Sequence, residues 1–284
     1  MIEAALAAVR STPHVFLDLD GTLVGTSGDV LDSVWRAVEA LEGWVGLSVC
    51  TGRPRAGVAQ RIAARLDPDG LHIFENGGLV GPAHGEPVRV SELPVRDCDA
   101  MIEAASRIDA VLELYTPSGV FVSRFDDDCR AHALALDIDV AQANLAQVRR
   151  SHRVVRAHWI MREPALAAVL AIELHDSAIG VASSPVMPGL IFGSVTRRDT
   201  SKGTAAALVA ELMGFELADA AAVGDAVGDL PLLKAVGHPF VVANAPAELR
   251  ERYEVLGDVD GDGVLELLGA IGPALEGGPE SRPA

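Results

Sequence analysis

The sequence predicts an α/β fold: a doubly wound parallel sheet that is interrupted by an inserted α+β domain. Near both ends of the chain, short apolar runs that end in polar or glycine-rich residues alternate with helical patterns. Continuous apolar runs of this kind are typical of strands that are buried on both faces of a parallel sheet. The middle of the chain instead carries a hairpin pattern between two links rich in proline and glycine, which indicates a second module.

The two ends of the chain supply the parallel sheet. Five runs rich in Val, Ile, Leu and Phe predict its strands, at 14–22, 45–53, 71–78, 220–229 and 239–245. Helical patterns alternate with them, at 29–42, 54–66, 201–213 and 228–236. Right-handed crossovers would join these elements into a Rossmann-like sheet, whose ligand crevice lies beyond the carboxyl ends of the strands. We therefore expect the polar residues that end these runs to share one site.

The middle of the chain predicts the inserted α+β domain. Its apolar runs predict a hairpin at 111–125, turning at Pro117–Gly119, and further strands at 152–160 and 168–175. Helical segments are expected near 97–107 and 128–148, and the links lie at 81–87 and 183–189. The predicted division is a core of residues 1–82 and 194–272, an inserted domain of residues 83–193 and a disordered tail of residues 273–284.

Composition limits the classes of function. The 284 residues are 49% apolar and 22% charged, as in a soluble globular protein, and no apolar run reaches the ~18 residues that a membrane helix needs. The N-terminal stretch lacks the basic lead of a signal peptide. Three cysteines without a CxxC pair predict reduced thiols and a cytoplasmic protein. A net charge of −17 argues against a nucleic-acid partner but not against a small phosphorylated one, because local cations can reverse the field within one cleft.

Two aspartates end the first predicted strand. Asp18 and Asp20 flank Leu19, and the side-chain period of two sends both carboxylates to the same side of the strand. Paired carboxylates can share a hard cation or divide the roles of nucleophile and acid/base. An ordinary Asp-Gly turn is the alternative.

The second predicted strand ends in Thr51, Gly52 and Arg53. A hydroxyl and backbone N–H groups at a strand-to-helix turn can cradle a phosphate, and Pro54 would fix the start of the helix. A simple capping threonine explains this segment equally well.

Three charged residues mark the C-terminal half. Lys202, one of only two lysines, falls in the first turn of a helix, where a cation opposes the helix dipole and therefore favours a functional role. Asp225 and Asp229 lie four residues apart at the start of another helix and share one face. With Asp18 and Asp20 they would form an oxygen-only cluster suited to Mg²⁺, whereas N-terminal capping would explain only one of them.

These segments resemble the four motifs of the haloacid dehalogenase-like (HAD) phosphatases, in the same order. The motifs are Asp18-Leu-Asp20-Gly-Thr22, Thr51-Gly-Arg53, Lys202-Gly and Gly224-Asp225-x-x-x-Asp229. The insertion between the second and third motifs is similar to the larger C2 cap of the Cof-type branch, which acts mostly on sugar phosphates and related small molecules. The stretches at 75–78, 242–250 and 262–268 are similar to further landmarks of that branch. The resemblance covers nearly the whole chain except the tail.

The resemblance implies a role for each motif residue. Asp18 would be the nucleophile that forms an aspartyl phosphate, and Asp20 would be the acid/base. Thr51, Gly52 and Lys202 would hold the phosphoryl oxygens. Mg²⁺ would be held by Asp18, by the backbone carbonyl of Asp20, and by Asp225 and Asp229.

One position departs from the family pattern. Gly228 stands where the fourth motif usually carries Asn or another polar residue, so an amide that helps to order the metal and phosphate shell is missing. Asn76 and Asn244 both follow predicted strands, and at least one is expected to point into the site. Arg53, of the second motif, is a further candidate for substrate binding.

The inserted domain is expected to supply substrate recognition and to exclude water. Its candidates are Arg124, after the hairpin, and Arg162 and Glu163 in the stretch MREP. A solvated charged face is the alternative for all three. MREP is faintly similar to a segment of phosphatases that act on sugar-phosphoglycerates.

The predicted function is Mg²⁺-dependent hydrolysis of a small phosphorylated metabolite, a sugar phosphate or a sugar-phosphoglycerate, by a monomer or homodimer. Two alternatives stay open. A phosphosugar mutase would use the same nucleophile but return the phosphoryl group to a sugar. A catalytically weakened binding protein is the second alternative, and Gly228 is the feature that favours it.

Overall fold

The computed structural model describes residues 2–183, 187–261 and 263–271. The tail predicted at 273–284 lies outside the described residues. The described residues form two compact units: those within 2–51, 62–73 and 202–271 form one, and those within 52–61 and 74–201 form the other. The domain boundaries given by the sequence stay a prediction.

Helices and strands alternate along much of the chain. The strands are β1 (His14–Leu17), β2 (Gly46–Val49), β3 (His72–Phe74), β4 (Leu79–Gly81), β5 (Arg89–Val90), β6 (Val111–Thr116), β7 (Gly119–Val122), β8 (Val140–Gln142), β9 (Arg156–Met161), β10 (Ser177–Ser183), β11 (Ile191–Arg197), β12 (Ala221–Gly224), β13 (His238–Val241) and β14 (Glu254–Val255). The helices are α1 (Ile2–Ala8), α2 (Asp32–Ala40), α3 (Gly57–Leu66), α4 (Val95–Ala105), α5 (Asp127–Leu136), α6 (Leu145–Ser151), α7 (Glu163–Leu170), α8 (Lys202–Met213), α9 (Leu230–Leu233), α10 (Ala247–Arg250) and α11 (Gly263–Ala270). Among the described residues, no helix combines the length and the apolar character that crossing a bilayer requires.

The first unit contains a five-stranded parallel sheet in the order β14-β13-β12-β1-β2. The chain passes from β1 through α2 to β2 on one side, and it later returns through α8 to β12 on the other side of β1. The strand order therefore reverses at β1, and ligand sites of such sheets lie at this reversal, beyond the carboxyl ends of the strands. The predicted α/β fold with a parallel central sheet is confirmed.

The second unit contains a six-stranded sheet in the order β10-β11-β9-β6-β7-β8, which is antiparallel except where β8 joins β7. One face is apolar: Leu112, Leu114 and Trp159 pack in a core with residues of α4, α6 and α7. The other face places Glu113 opposite His158 and Tyr115 opposite Arg156, and all four are buried. The inserted α+β module therefore buries charge within its sheet.

Two details of the inserted segment differ from the sequence prediction. The run at 168–175, predicted as a strand, instead ends α7 and leads into β10, because a short apolar run alone does not distinguish a strand from a buried helix. The single helix predicted near 128–148 is divided into α5, β8 and α6. The division begins at Asp137, which ends α5 in the left-handed conformation, with φ of 55°. The hairpin predicted around Pro117–Gly119 is confirmed by β6 and β7.

Two buried, neutral histidines link β2 to β1 and to β3. His72 Nδ1 accepts a hydrogen bond from Val49 N at 3.1 Å, and His72 Nε2 donates to Asp67 O at 2.9 Å. His14 Nε2 lies 2.7 Å from Ser48 Oγ, which donates to Leu71 O. Burial lowers the pKa of His14 to about 3 and that of His72 to about 4.

These histidines predict acid-sensitive folding. The unfolded chain takes up a proton at each histidine near the ordinary pKa of 6.5, whereas the folded protein does so only near 3 and 4, so stability is lost as the pH falls below about 6.5. Each histidine should cost about 2 kcal/mol of unfolding free energy between pH 7 and pH 5. His72→Asn keeps an acceptor for Val49 N–H but cannot be protonated, so urea unfolding of this variant should depend less on pH. The exposed His84→Asn is the matched control and should keep the wild-type dependence.

Candidate active site

Asp18 lies immediately after β1, at the reversal of strand order. Its backbone N–H continues the sheet by donating to Val223 O at 3.1 Å, and its side chain is buried. Leu19 turns into the core, and its carbonyl accepts from the N–H groups of Leu23 and Val24. The chain therefore turns sharply after Asp18, and Asp20 becomes exposed.

Lys202 is the partner of Asp18. Its ammonium lies 2.6 Å from Asp18 Oδ1 and 2.6 Å from Asp229 Oδ1, and only 5% of the residue is exposed. The close packing of α8 against α9 permits this position, because a Cβ at Gly203 would lie 2.2 Å from Pro231 O. The Lys-Gly pair of the sequence thus has a structural reason. The glycine allows α9 to pack closely against α8, and the lysine bonds to the carboxylates of Asp18 and Asp229.

Asp229 fixes the turn that carries Asp225. Its Oδ2 accepts hydrogen bonds from the backbone N–H groups of Asp225, at 3.1 Å, and Ala226, at 3.0 Å. Asp225 is half-buried, and its carboxylate faces Gly21, where a Cβ would lie 2.3 Å from Asp225 Oδ2. Gly21 also has a φ of +81°, so both the close approach of Asp225 and the backbone conformation disfavour a side chain at this position.

The charges in this cluster do not balance. Burial raises the pKa of Asp18 well above its usual range and Asp229 adds to the rise, although Lys202 opposes it. Burial alone would lower the pKa of Lys202, but Asp18 and Asp229 outweigh burial and raise it. Burial, and then Asp229, raise the pKa of Asp225 to about 6. Three neighbouring carboxylates and one ammonium leave an excess of negative charge.

The donor set fits a hard divalent cation. Carboxylate oxygens of Asp18, Asp225 and Asp229 lie within 4.8 Å of one another. Oxygen-only ligands suit Mg²⁺, and a cation there would offset the excess negative charge of the three carboxylates. The structure brings these three predicted ligands together.

The predicted phosphate-binding turn follows the neighbouring strand. Cys50 N donates to Leu17 O at 2.8 Å, and the buried Thr51 donates its backbone N–H to Ile73 O at 2.9 Å. Gly52 and Arg53 come next and are partly buried. Asn76 lies against this turn, because a Cβ at Gly52 would be 3.0 Å from Asn76 Oδ1.

Asn244 holds the loop that follows Asp20. Its Nδ2 donates to Gly21 O at 2.8 Å, and its Oδ1 accepts from Val259 N at 3.1 Å. Asp260 accepts from both the backbone N–H and the hydroxyl of Thr26 at 2.8 Å. These contacts support a structural role for Asn244, and its predicted contact with substrate stays a prediction.

Two of the three residues of the inserted segment that are predicted to bind substrate line a cavity of about 390 Å³. Arg124 and Arg162 both line this cavity, and Glu163 is not among its lining residues. Arg124 pairs with Asp109 and Asp126, each at 2.8 Å, and Arg162 pairs with Asp128 at 2.7 Å. Both arginines are therefore paired with carboxylates of the same segment, and their role in substrate recognition stays a prediction.

Sequence reasoning also missed Glu75 and Arg156. Both are buried, and Arg156 Nε lies 3.2 Å from Glu75 Oε2. A charged residue in the apolar run 152–160 was the available signal for Arg156, but its partner could not be identified without the fold.

Comparison with known proteins assigns the chain to a family. The sequence pattern of haloacid dehalogenase-like hydrolases matches residues 15–268, and the chain belongs to this family. A provisionally named phosphatase of Streptococcus pyogenes is 28% identical over 246 residues, which cover 84% of this chain and 89% of the relative. The HMP-PP phosphatase of Yersinia pseudotuberculosis is 25% identical, covering 88% of this chain and 92% of the relative.

The fold also has close counterparts among solved structures. The HAD subclass IIB sugar phosphatase BT4131 superposes with a TM-score of 0.77 at 19% identity, covering 92% of this chain and 100% of that one. Together with the family match, this confirms the expected membership of the HAD-like family and the expected fold.

Gly21 provides a test of how closely Asp225 must approach. Gly21→Ala places a methyl group against the Asp225 carboxylate and should lower turnover of a phosphate ester by about tenfold or more, because small displacements of site groups are costly. Gly28→Ala is the matched control, since Gly28 has a similar φ of +77° but open space around its Cβ position. Equal turnover by the two folded variants would show that the position of Asp225 does not matter.

Proposed function

We propose that the protein is a Mg²⁺-dependent phosphatase that hydrolyses a small phosphorylated metabolite, a sugar phosphate or a sugar-phosphoglycerate, through an aspartyl phosphate on Asp18. The observation that carries the proposal is the buried Asp18–Lys202–Asp229 cluster with Asp225 beside it. This arrangement has a carboxylate at the reversal of strand order, a fixed cation and further oxygen ligands. Phosphoryl transfer depends mainly on such positioning and charge neutralisation.

The two catalytic aspartates divide the reaction. A carboxylate oxygen of Asp18 forms a bond to phosphorus as the bond to the leaving oxygen breaks, and Asp20 donates a proton to that oxygen. In the second half, Asp20 accepts a proton from water, the water oxygen bonds to phosphorus, and the bond to Asp18 breaks. The products are the alcohol and inorganic phosphate.

Lys202 and the turn after β2 would hold the phosphoryl group. Lys202 fixes Asp18 in place, and its ammonium would also donate to a phosphoryl oxygen, with Thr51 and the Gly52 N–H as further donors. Mg²⁺, held by Asp18, the Asp20 carbonyl, Asp225 and Asp229, would supply the positive charge that lets an anionic carboxylate approach an anionic phosphate. Lys202 and the bound cation would thus offset the carboxylate charge that would otherwise repel the substrate.

The substrate class rests on the names of related proteins and on the inserted segment. BT4131 is a sugar phosphatase, and the Yersinia relative is named an HMP-PP phosphatase, so small phosphorylated molecules are the shared class. Arg53, Asn76, Asn244, Arg124, Arg162 and Glu163 remain our candidates for contacts with the rest of the substrate. The three cysteines are buried free thiols, which supports a cytoplasmic protein, and a monomer or homodimer is still expected.

The two alternatives are distinguishable. A mutase would convert a hexose 1-phosphate to its isomer without releasing inorganic phosphate. A weakened binding protein would bind the phosphate ester without turnover. At Gly228 a Cβ would meet nothing within 4 Å, so Gly228→Asn should fit and should raise turnover if the missing amide limits catalysis.

Asp18→Asn tests the nucleophile. The variant keeps the side-chain shape but removes the attacking anion, and release of phosphate from a panel of sugar phosphates should fall by about 10³-fold or more. Malachite-green detection of phosphate measures the effect. Asp219→Asn is the control, because Asp219 is an exposed aspartate of the same unit. Wild-type turnover by a folded Asp18→Asn protein refutes the mechanism.

Metal removal tests the cation site with a readout that is independent of activity. Adding Mg²⁺ to EDTA-treated protein should raise the thermal unfolding midpoint by a few degrees, because a ligand that binds only the folded state stabilises it. EDTA should also abolish turnover. Asp225→Asn should remove most of the thermal shift, while Asp219→Asn should retain it. If Mg²⁺ raises the thermal unfolding midpoint equally in the wild type, Asp225→Asn and Asp219→Asn, the metal binds at another site.

A further inference from the structure

Arg156 makes three contacts from β9. Its guanidinium donates a hydrogen bond to the carbonyl of Gly52, forms an ion pair with Glu75 at 3.2 Å and lies over the ring of Tyr115 at 4.2 Å from the ring centre. Only 5% of Arg156 is exposed. A planar, multiply donating and permanently charged group suits these contacts together, and a lysine ammonium cannot reproduce them.

Glu75 is held in an unusual conformation beside this arginine. Glu75 has a φ of 56° and Asn76 a φ of 55°, which places two consecutive non-glycine residues in the left-handed region. Such a conformation is disfavoured for a glutamate and persists only where its surroundings impose it. Here it directs the Glu75 carboxylate to Arg156 and the Asn76 side chain to Gly52.

These contacts fix the predicted phosphate-binding turn. Arg156 holds the carbonyl of Gly52, and the backbone N–H of Glu75 holds the carbonyl of Arg53 at 3.1 Å. Because each peptide unit is planar, fixing the carbonyl of Gly52 also fixes the orientation of the Arg53 N–H, which belongs to the same peptide unit. With Thr51 N bonded to Ile73 O, all three residues of the turn have a restrained backbone.

Arg156 is itself anchored. Tyr115, which supplies the ring under the guanidinium, donates its hydroxyl to Glu113 at 2.7 Å. The same carboxylate lies 3.2 Å from His158 Nδ1 and 3.1 Å from His132 Nδ1. Burial alone would lower the pKa of Arg156, but Glu75, Tyr115 and Glu113 together outweigh burial and raise it, so the arginine stays charged. A buried network of the inserted segment thus ends at the carbonyl of Gly52.

We propose that Glu75 and Arg156 are positioning residues that hold the Thr51–Arg53 turn in the conformation that binds the phosphoryl group. The inference rests on the proposed phosphatase function and deepens it, because it assigns a part in phosphate binding to a residue of the inserted segment. Arg156 acts through the turn and does not touch the reacting atoms.

Arg156→Met and Glu75→Gln test the pair, with inorganic phosphate as the probe of the turn. Arg156→Met should lower kcat by about 100-fold, as expected for a misplaced binding group, and should weaken competitive inhibition by inorganic phosphate by about tenfold. Glu75→Gln, which keeps the shape, should show the same two effects to a smaller degree. Arg156→Lys keeps the charge but not the paired contacts and should behave like Arg156→Met.

Arg153→Met is the matched control, because Arg153 lies nearby in the chain, is exposed and pairs with the surface residue Glu92. It should leave both kcat and phosphate inhibition unchanged. Circular dichroism checks folding. If Arg156→Met does not fold, kcat and phosphate inhibition of Arg156→Lys and Glu75→Gln test the proposal instead. Wild-type kcat and phosphate inhibition in the folded variants would overturn the positioning role while leaving Asp18→Asn inactive. An active Asp18→Asn protein would instead overturn the proposed function itself.

Discussion

The ammonium of Lys202 between the carboxylates of Asp18 and Asp229 is the interaction on which the site depends. Burying charges is costly, and such a cluster survives only where each charge has a partner at close range. Here both partners lie at 2.6 Å. The lysine therefore links the end of β1 with the turn after β12, two strands that are neighbours in the sheet. Close packing at Gly203 and Gly21 permits this arrangement, so these glycines serve the cluster and not only the backbone.

The same cluster explains why an acidic protein suits an anionic substrate. Burial, and then the neighbouring carboxylate of Asp229, raise the pKa values of Asp18 and Asp225, so these buried negative charges are disfavoured without a further cation. A divalent cation would offset this excess of negative charge at the point where a phosphate has to approach. The global charge of −17 then has little bearing on binding, because local charges dominate inside a cleft.

The sequence predicted the parallel sheet and the main site residues because both depend on local patterns. Strands buried on both faces read as continuous apolar runs, and polar residues at their carboxyl ends must meet at one edge of the sheet. The prediction of a strand at 168–175 was wrong, because a short apolar run fits a helix as well as a strand. It did not identify the partnership of Glu75 and Arg156, because these residues are 81 positions apart (156 − 75) and meet only through tertiary packing. The predicted ligand roles themselves stay predictions that the geometry supports.

The hydrogen bond from Arg156 to Gly52 makes the turn depend on the inserted segment. Inserted domains are often treated as independent units that can be exchanged between relatives to change specificity. In this protein the segment that contains β9 also supplies the support for a turn outside it in the sequence, and residues 52–61 group with 74–201 in their contacts. A chimera that replaces the insert would therefore need an equivalent of Arg156, and of the Glu75 that pairs with it, in order to keep the turn in place.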